Sequence, residues 1–448
     1  MNKIVLLLYL LCLSFLTVSS QELTQQLDEV VQDFHKEGPG YSIIITKDGE
    51  TIYHNAVGLA NLELEVPLST DHIFRIGSIT KQVTACAILQ LIEEGKLDLQ
   101  DDITKFYPGY PSHGKSITVE HLLTHTSGIK SYTGMEKWDS EVRKQDFTVA
   151  GLIDFFKDEP MDFDPGTAFS YNNSGYILLG YIIEKASGMS YEDYVEKEMF
   201  APLGMHDSYY GHPEEILPRR TSGYSQGPDG YINAPFLSMT QPYAAGSLLM
   251  TVGDLAIWNK AVFADEVISK ESRDKAHTDY ILSTGESADY GYGWTFAKLE
   301  GSPVITHGGG INGFSTDAAY LPEEGLFIAV FSNCNCLNPG RLMQRLARTA
   351  IGKPYIKPKR VDVSEEELNS YVGEYEIAPG FIVTVSTKEG ILLAQPTGQA
   401  QVELVPIGER RFAIEVVEAE IQFNQSDTGE VNSLTVFQGG EHQAKKIN

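Results

Sequence analysis

A serine and a lysine three residues apart, Ser78 and Lys81 in the stretch GSITKQ, have the residue types of a nucleophile and its base. The run that follows, VTACAILQLI, is apolar almost all round, which predicts a helix buried on every side. A lysine in the first turn of such a helix loses water and lies against the positive end of the helix dipole, and both effects favour its neutral form. A neutral Lys81 could take the proton of the Ser78 hydroxyl, which is a poor nucleophile without a base. The alternative role for Ser78 is that of a helix N-cap.

The Ser-x-x-Lys spacing is frequent by chance, and the surroundings of each copy decide between them. Only the copy at Ser78 opens a buried helix, where residues three apart share a face. The other copies lie in a loop, in a turn and on a solvated helix face: Ser112/Lys115, Ser127/Lys130 and Ser272/Lys275.

A tyrosine and an asparagine in DPGTAFSYNNSGY form a second candidate pair, Tyr171 and Asn173. In an extended segment, residues two apart point the same way, so both side chains could face one cleft. A tyrosinate at neutral pH needs its pKa lowered by about three units. A lysine ammonium in a dry site could supply much of that. The proton then belongs to the Lys81–Tyr171 pair, and the identity of the base stays open.

Three glycines in VITHGGGINGF match G-x-G-x-x-G, namely Gly308, Gly310 and Gly313. A strand follows them instead of a helix, which excludes a dinucleotide site. Glycines at a sheet edge allow a ligand to approach the backbone closely. One N–H group there could pair with that of Ser78 as an oxyanion hole.

The stretch HLLTH places His121 and His125 four residues apart. Leu122 stands where a zinc protease needs its glutamate, so we predict no metal site there.

Taken together, Ser78-x-x-Lys81, Tyr171-x-Asn173 and His307-x-Gly309 resemble the three motifs of the serine β-lactamase and penicillin-binding protein superfamily. The chain is most similar to the class C β-lactamase-related group of D-Ala-D-Ala carboxypeptidases, D-aminopeptidases and esterases. FRIGSITKQ, HLLTHTSGI, PGTAFSYNNSGY, APLGM and AAGSLLMT also resemble this group. The resemblance covers roughly residues 25 to 350.

The resemblance implies a mechanism in which Ser78 attacks a carbonyl and forms an acyl-enzyme, helped by Lys81 and Tyr171. It assigns Asn173 to orienting the lysine and binding the substrate amide. Backbone N–H groups of Ser78 and Gly310 would hold the oxyanion, and no metal or organic cofactor is required.

One departure bears on the substrate. Class C β-lactamases usually carry Lys-Thr-Gly where this chain has His307-Gly308-Gly309, and that lysine helps to bind a carboxylate. A histidine, mostly neutral at pH 7, favours a peptidase, amidase or esterase over a β-lactamase. The alternatives are a penicillinase with an atypical third motif and a penicillin-binding sensor that does not turn over.

The pattern of elements predicts an α+β fold for residues 21–352. Helices are expected at 22–36, 148–156, 176–185 and 341–351, with hairpins around Asp48-Gly49 and Pro322–Gly325. Two strands from the front and three from the back would form one antiparallel sheet, with a helical subdomain in the middle. A basic linker follows at 353–366. An alternating, turn-rich segment at 367–448 predicts a small β-barrel or meander. Its start, YVGEYEI, is similar to the lipocalin-like domains appended to some members of the group, and its role is either gating or stability.

The first 20 residues have the pattern of a secretory signal peptide, with Lys3, an apolar run and then Ser19 and Ser20. We predict cleavage after Ser20 and a secreted or periplasmic protein; the alternative is an uncleaved anchor.

Cleavage lowers the net charge from −27 to −28, because Lys3 is removed. So acidic a chain disfavours nucleic acid and anionic membranes as partners. The resemblance implies a small-molecule or peptide substrate. The three remaining cysteines, Cys86, Cys334 and Cys336, indicate neither a disulfide framework nor a zinc site.

Overall fold

The structure is a computed structural model that describes residues 21–35, 37–416, 419–426, 428–437 and 441–448. The predicted signal peptide lies outside these residues. The chain divides into two compact units, the first ending at Pro354 and the second running from Tyr355 to Asn448. In the part described, no helix is both long enough and apolar enough to cross a membrane.

An antiparallel six-stranded sheet forms the centre of the first unit. In spatial order its strands are Thr295–Leu299, Ser302–Ile311, Phe314–Leu321, Leu326–Ser332, Tyr41–Lys47 and Glu50–Val57. Both predicted hairpins are present. The sequence predicted only five strands, and it missed Thr295–Leu299. This edge strand is short and half exposed, so it has no marked apolar pattern.

The strand Tyr41–Lys47 is apolar at consecutive positions because both of its faces are covered. Ile43 and Ile45 pack against the two terminal helices, which span residues 21–34 and Pro339–Ala350. Ile44 points to the opposite face and joins the larger core around the helical region. Alternation of side chains across a strand thus places one helical layer on each side of the sheet.

The central helix, Thr80–Glu93, is buried at almost every position, as its sequence predicts. The predicted helix near residue 176 runs over Asn173–Ser187 and ends at Gly188, whose φ of +77° suits glycine. The other helices of this region are Val119–Leu123, Val149–Phe156, Tyr191–Tyr194, Val195–Phe200 (π), Ala201–Leu203, Tyr243–Gly246, Val252–Phe263 and Lys270–Ala276. Single 3₁₀ turns span Gly77–Ile79, Ile103–Lys105, Tyr132–Gly134 and Val142–Lys144. Short strands are Leu59–Asn61, Val66–Pro67, Phe74–Arg75, Tyr209–Tyr210, Tyr224–Gly227, Gly230–Asn233 and Leu248–Met250.

The second unit is a closed antiparallel barrel preceded by the short helix Glu365–Ser370. Its eight strands are Gly373–Ala378, Phe381–Lys388, Ile391–Pro396, Val402–Gly408, Arg411–Ile414, Ala419–Gln425, Val431–Phe437 and Glu441–Lys446. The rings of Tyr371, Tyr375, Phe412 and Phe423 fill its interior. The α+β fold with an all-β C-terminal domain is confirmed.

The cysteines correct one expectation. Cys334 and Cys336 form a disulfide, with their Cα atoms 5.1 Å apart, where the sequence indicated none. The two cysteines directly follow the strand Leu326–Ser332, and only the turn that the chain makes there brings the thiols together. Cys86 is fully buried in the central helix as a small core residue.

Candidate active site

Ser78 lies in the 3₁₀ turn Gly77–Ile79 that leads into the central helix. The N-cap position of that helix belongs to Ile79, and no side chain caps it, so Ser78 does not act as the cap. Gly77 has a φ of +52°, and a Cβ atom there would come within 3.0 Å of the Gly310 nitrogen. The turn therefore depends on glycine, both for its backbone conformation and for the close approach of the neighbouring strand.

Lys81 has no exposed surface, and its Nζ atom contacts three oxygens. It lies 3.1 Å from Ser78 Oγ, 2.9 Å from Asn173 Oδ1 and 2.9 Å from the Ala245 carbonyl oxygen. Burial lowers the pKa of Lys81 well below its usual value. A neutral amine has two N–H bonds and one lone pair. The Asn173 and Ala245 oxygens can only accept, so they take both N–H bonds and the lone pair is left for the Ser78 hydroxyl.

Tyr171 lies beside the same pair. Its ring centre is 4.7 Å from Lys81 Nζ, and it forms a hydrogen bond with Ser78. The side chain as a whole keeps 39% of its surface exposed, but the surroundings of the hydroxyl are enclosed. Burial therefore raises the pKa of Tyr171, and the hydrogen bond with Ser78 lowers it by less. The pKa of Tyr171 therefore moves away from the lowered value that a tyrosinate at neutral pH would need.

Asn173 begins the helix Asn173–Ser187, and its amide links two parts of the site. Asn172 before it is the N-cap and accepts a hydrogen bond from the Gly175 N–H group. Asn173 accepts from Lys81 through Oδ1 and donates through Nδ2 to Thr133 Oγ1, at 3.1 Å. These contacts fix the amide with its oxygen toward the lysine.

His307 lies behind the cleft, with both ring nitrogens engaged. Nδ1 donates to the Gly308 carbonyl at 2.6 Å, because a carbonyl only accepts, and Nε2 therefore accepts from the Tyr290 hydroxyl at 2.9 Å. Burial lowers the pKa of His307 to about 4, with a smaller effect from the charge of Lys81. The imidazole is neutral and does not line the cavity at Ser78.

Gly309 and Gly310, the second and third of the three glycines after His307, differ in their surroundings. A Cβ atom at Gly309 would lie 2.0 Å from the Ile76 carbonyl oxygen, so the strand packs directly on the backbone that leads to Ser78. At Gly310 a Cβ atom would meet nothing within 4 Å. Gly310 faces the cavity and Gly309 does not.

The cavity at Ser78 has a volume of about 110 Å³. Its lining includes Ser78, Asn173 and Gly310, together with Tyr132 and Trp138. A larger depression of about 750 Å³ around Glu120 and Lys270 contains none of the motif residues. The smaller cavity is the candidate site, because the nucleophile Ser78 lines it and the amine of Lys81 lies 3.1 Å from the Ser78 oxygen.

The sequence missed His125 as a part of the site. It is 1% exposed, and its ring centre lies 4.3 Å from that of Tyr171 and 4.6 Å from that of Tyr290. Its Nδ1 atom accepts from the Asn172 N–H group at 3.0 Å, and burial lowers its pKa well below the usual value. His121 instead belongs to a helix capping box. The positive φ of +59° at His125, which turns it toward the site, has no signal in the sequence.

Comparison with known proteins agrees with this arrangement. Residues 27–353 match the Beta-lactamase family, and residues 357–447 match a domain of unknown function, DUF3471. The chain is 29% identical over 434 residues to penicillin-binding protein 4* of Bacillus subtilis (strain 168), covering 90% of this chain and 94% of that protein.

Two solved structures are similar over most of their length. An octameric penicillin-binding protein homologue from Pyrococcus abyssi has a TM-score of 0.66 and 29% identity, with 95% of this chain and 98% of that chain covered. A D-stereospecific amidohydrolase from a Streptomyces species has a TM-score of 0.62 and 26% identity, with 73% and 97% covered. The similarity in fold, the Ser–Lys pair and the family match over most of the chain all agree. The chain belongs to the Beta-lactamase family and is a serine hydrolase of that family.

Proposed function

We propose that the chain is an exported hydrolase that cleaves amide or ester bonds through an acyl-enzyme on Ser78. The observation that carries this proposal is the hydrogen bonding of Lys81, whose two acceptor-only partners leave its lone pair for the Ser78 hydroxyl. A buried base held at 3.1 Å from a serine oxygen meets the geometric requirement for activating a nucleophile.

The reaction runs in two halves. Ser78 Oγ attacks the carbonyl carbon while Lys81 takes the hydroxyl proton, and the N–H groups of Ser78 and Gly310 stabilise the oxyanion. The C–N or C–O bond then breaks, the leaving group receives the proton, and the acyl group stays on Ser78 as an ester. Water adds to this ester in the second half, which releases a carboxylic acid and restores the hydroxyl.

Lys81 is the better candidate for the base. Burial lowers its pKa and raises that of Tyr171, and both shifts favour a pair that consists of a neutral amine and a protonated phenol. Tyr171 in that state donates a hydrogen bond, and its place next to Ser78 suits the delivery of a proton to the leaving group. The two groups remain coupled, so one titration belongs to the pair.

The surroundings of His307 favour peptidase, amidase or esterase activity over β-lactamase activity. Both of its nitrogens are engaged with Tyr290 and the Gly308 carbonyl, so it offers no cation to a carboxylate beside the scissile bond. The similarity to a D-stereospecific amidohydrolase points the same way.

Intact mass measurement tests the nucleophile. A fluorophosphonate should add once to the wild type and not to Ser78→Ala, and esters or D-amino-acid amides should be turned over. Faster turnover of penicillins would assign a penicillinase. An adduct without turnover would assign a sensor, and no adduct on folded protein would overturn the proposal.

Export to a secreted or periplasmic location is proposed on two grounds. The first is the signal-like sequence, and the second is the Cys334–Cys336 disulfide, since disulfides persist mainly in oxidising compartments. Expression with the full leader should release a chain that begins at Gln21, as read by N-terminal sequencing. A cell-retained chain that keeps its leader would contradict this.

A further inference from the structure

A second cavity, of about 310 Å³, shares a wall with the Ser78 cavity, because Leu237 and Asn312 line both. We name it the arginine cavity after two of its lining residues, Arg75 and Arg220. No aspartate or glutamate is among the described residues that line it. In a chain with 61 acidic and 34 basic residues, a cavity next to the nucleophile whose charged lining residues are both arginines is unexpected.

Arg75 is fixed by the strand Phe74–Arg75, three residues before Ser78. It pairs with Leu249 through the backbone, and its guanidinium carbon lies 5.8 Å from the ring centre of Phe314. Burial lowers the pKa of Arg75 to about 10, and the charge of Arg220 acts in the same direction. At neutral pH the Arg75 guanidinium therefore keeps its charge, and the charge of Arg220 lies close enough to repel it.

Arg219, next to Arg220 in the chain, has the carboxylate partners that Arg75 and Arg220 lack. Arg219 forms ion pairs with Asp71 at 3.1 Å and Asp207 at 2.6 Å. Among the described residues, Arg220 donates to two backbone carbonyls, those of residues 212 and 213, at 2.8 and 3.2 Å. Neither Arg75 nor Arg220 makes an ion pair with any carboxylate in the described part of the chain. An anion that enters the cavity would relieve their repulsion and could accept charge-assisted hydrogen bonds.

We propose that the arginine cavity binds a carboxylate carried by the substrate, at the end remote from the bond that Ser78 attacks. This inference rests on the proposed function, whose substrates are amides and esters. The cavity at Ser78 holds only the groups that flank the scissile carbonyl. The substrate then passes Leu237 and Asn312 and places its carboxylate against Arg75 and Arg220. The enzyme thus selects extended acidic substrates at a distance from the neutral third motif.

A binding experiment tests the cavity without chemistry. Succinate is the probe, with inorganic phosphate and neutral succinamide as comparisons, and thermal unfolding is the readout. Succinate should raise the melting temperature of the wild type and of Ser78→Ala, but not that of Arg220→Glu. Arg219→Gln is the matched control, because it removes an adjacent arginine that does not line the cavity, and it should behave as the wild type.

A kinetic experiment tests the substrate. The 4-nitrophenyl ester of N-succinyl-D-alanine carries a remote carboxylate, and its succinamoyl counterpart differs only in the neutral amide. We expect a kcat/KM ratio of about tenfold or more in favour of the carboxylate. This ratio should fall to near one in Arg220→Gln and reverse in Arg220→Glu. Fluorophosphonate labelling of Ser78, scored as present or absent in each variant, shows that the protein is folded with a reactive nucleophile, and the Arg219→Gln control should keep the wild-type ratio.

The outcomes separate the two proposals. A ratio near one in the wild type, or a ratio unchanged in Arg220→Gln, overturns the inference while the labelling of Ser78 upholds the proposed function. Phosphate could also raise the melting temperature as much as succinate does, while turnover shows no preference for the substrate with a carboxylate. That result would assign a site for free anions and would overturn the inference as well. Failure of Ser78 to react, with Arg220-dependent succinate binding intact, overturns the proposed function and supports the cavity as a carboxylate site.

Discussion

Replacement of Lys81 by methionine is the most direct test of the proton route. Met keeps the length and apolar stem of the side chain and removes the nitrogen that contacts Ser78, Asn173 and Ala245. A positioned general base contributes about 10²- to 10⁴-fold. Acylation of Ser78 should therefore slow by that factor, which corresponds to about 3–5 kcal/mol in the activation free energy.

The fold should survive this change. Two buried acceptors, Asn173 Oδ1 and the Ala245 carbonyl, lose their donor, which costs about 1–3 kcal/mol each. The variant also no longer has to bury an amine, which offsets part of this cost. The folded-state pKa of Lys81 lies below 10.5, so between these two values the unfolded chain binds more protons and wild-type stability rises with pH. Lys81→Met should lack this rise, which urea unfolding at several pH values can measure.

The assay is the time course of fluorophosphonate addition, followed by intact mass from pH 5 to pH 9. Wild-type acylation should increase with pH as Lys81 loses its proton, then level off, and the variant should lose that increase. Lys115→Met makes the same change at an exposed ion pair with Asp164 and should react at the wild-type rate. A folded Lys81→Met that acylates within about threefold of the wild type would refute Lys81 as the base.

Three further predictions concern the neighbours of this pair. Tyr171→Phe should slow turnover of amides more than fluorophosphonate labelling, because the phenol assists the leaving group; a loss of labelling larger than that of Lys81→Met would make Tyr171 the base. Gly309→Ala should lower the urea midpoint, since its Cβ would lie 2.0 Å from a backbone carbonyl, whereas Gly310→Ala should leave the midpoint near the wild type; equal effects would contradict the packing. Burial raises the pKa of Asp317 to about 6, so the folded state holds a proton that the unfolded state has released between the two pKa values, and stability falls as pH rises through that window. Asp317→Asn should gain up to about 3 kcal/mol over the wild type at pH 7.5 and less at pH 4.5 in urea unfolding, and a gain independent of pH would refute this.

Local patterns predicted the elements that carry strong signals. Asp48-Gly49 between two apolar runs gave the hairpin, and the unbroken apolar run after Lys81 gave the buried helix. The edge strand Thr295–Leu299 was missed because hydrogen bonds to one neighbour hold it in place, without burial of an apolar face. The disulfide was missed because it depends on a turn between two cysteines that are only two residues apart.

In the candidate site, too, some features have a signal in the sequence and others do not. Ser78, Lys81, Tyr171 and Asn173 have residue types that suggest chemistry, and the structure brings them together. The Ala245 carbonyl decides which hydrogen bonds Lys81 can make, yet a backbone oxygen 164 residues away has no sequence signal. The hydrogen bond between Tyr290 and His307 has no sequence signal either, because it depends on tertiary packing alone.

The electrostatics of the site explain why a carboxylate of the substrate has to be bound at a distance from the nucleophile. Lys81, His125 and His307 are buried close together, and the pKa of each histidine is lowered by burial first and by the charge that Lys81 carries when protonated second. Lys81 has to take up a proton during acylation, so a second cation beside Ser78 that binds a carboxylate would oppose this step by raising the cost of protonating the base. Arginine is the one basic side chain that stays charged after such burial, as the pKa of about 10 at Arg75 illustrates. Neutral bases at Ser78 and permanent cations in the adjoining cavity therefore let one cleft combine proton transfer with recognition of an acidic substrate.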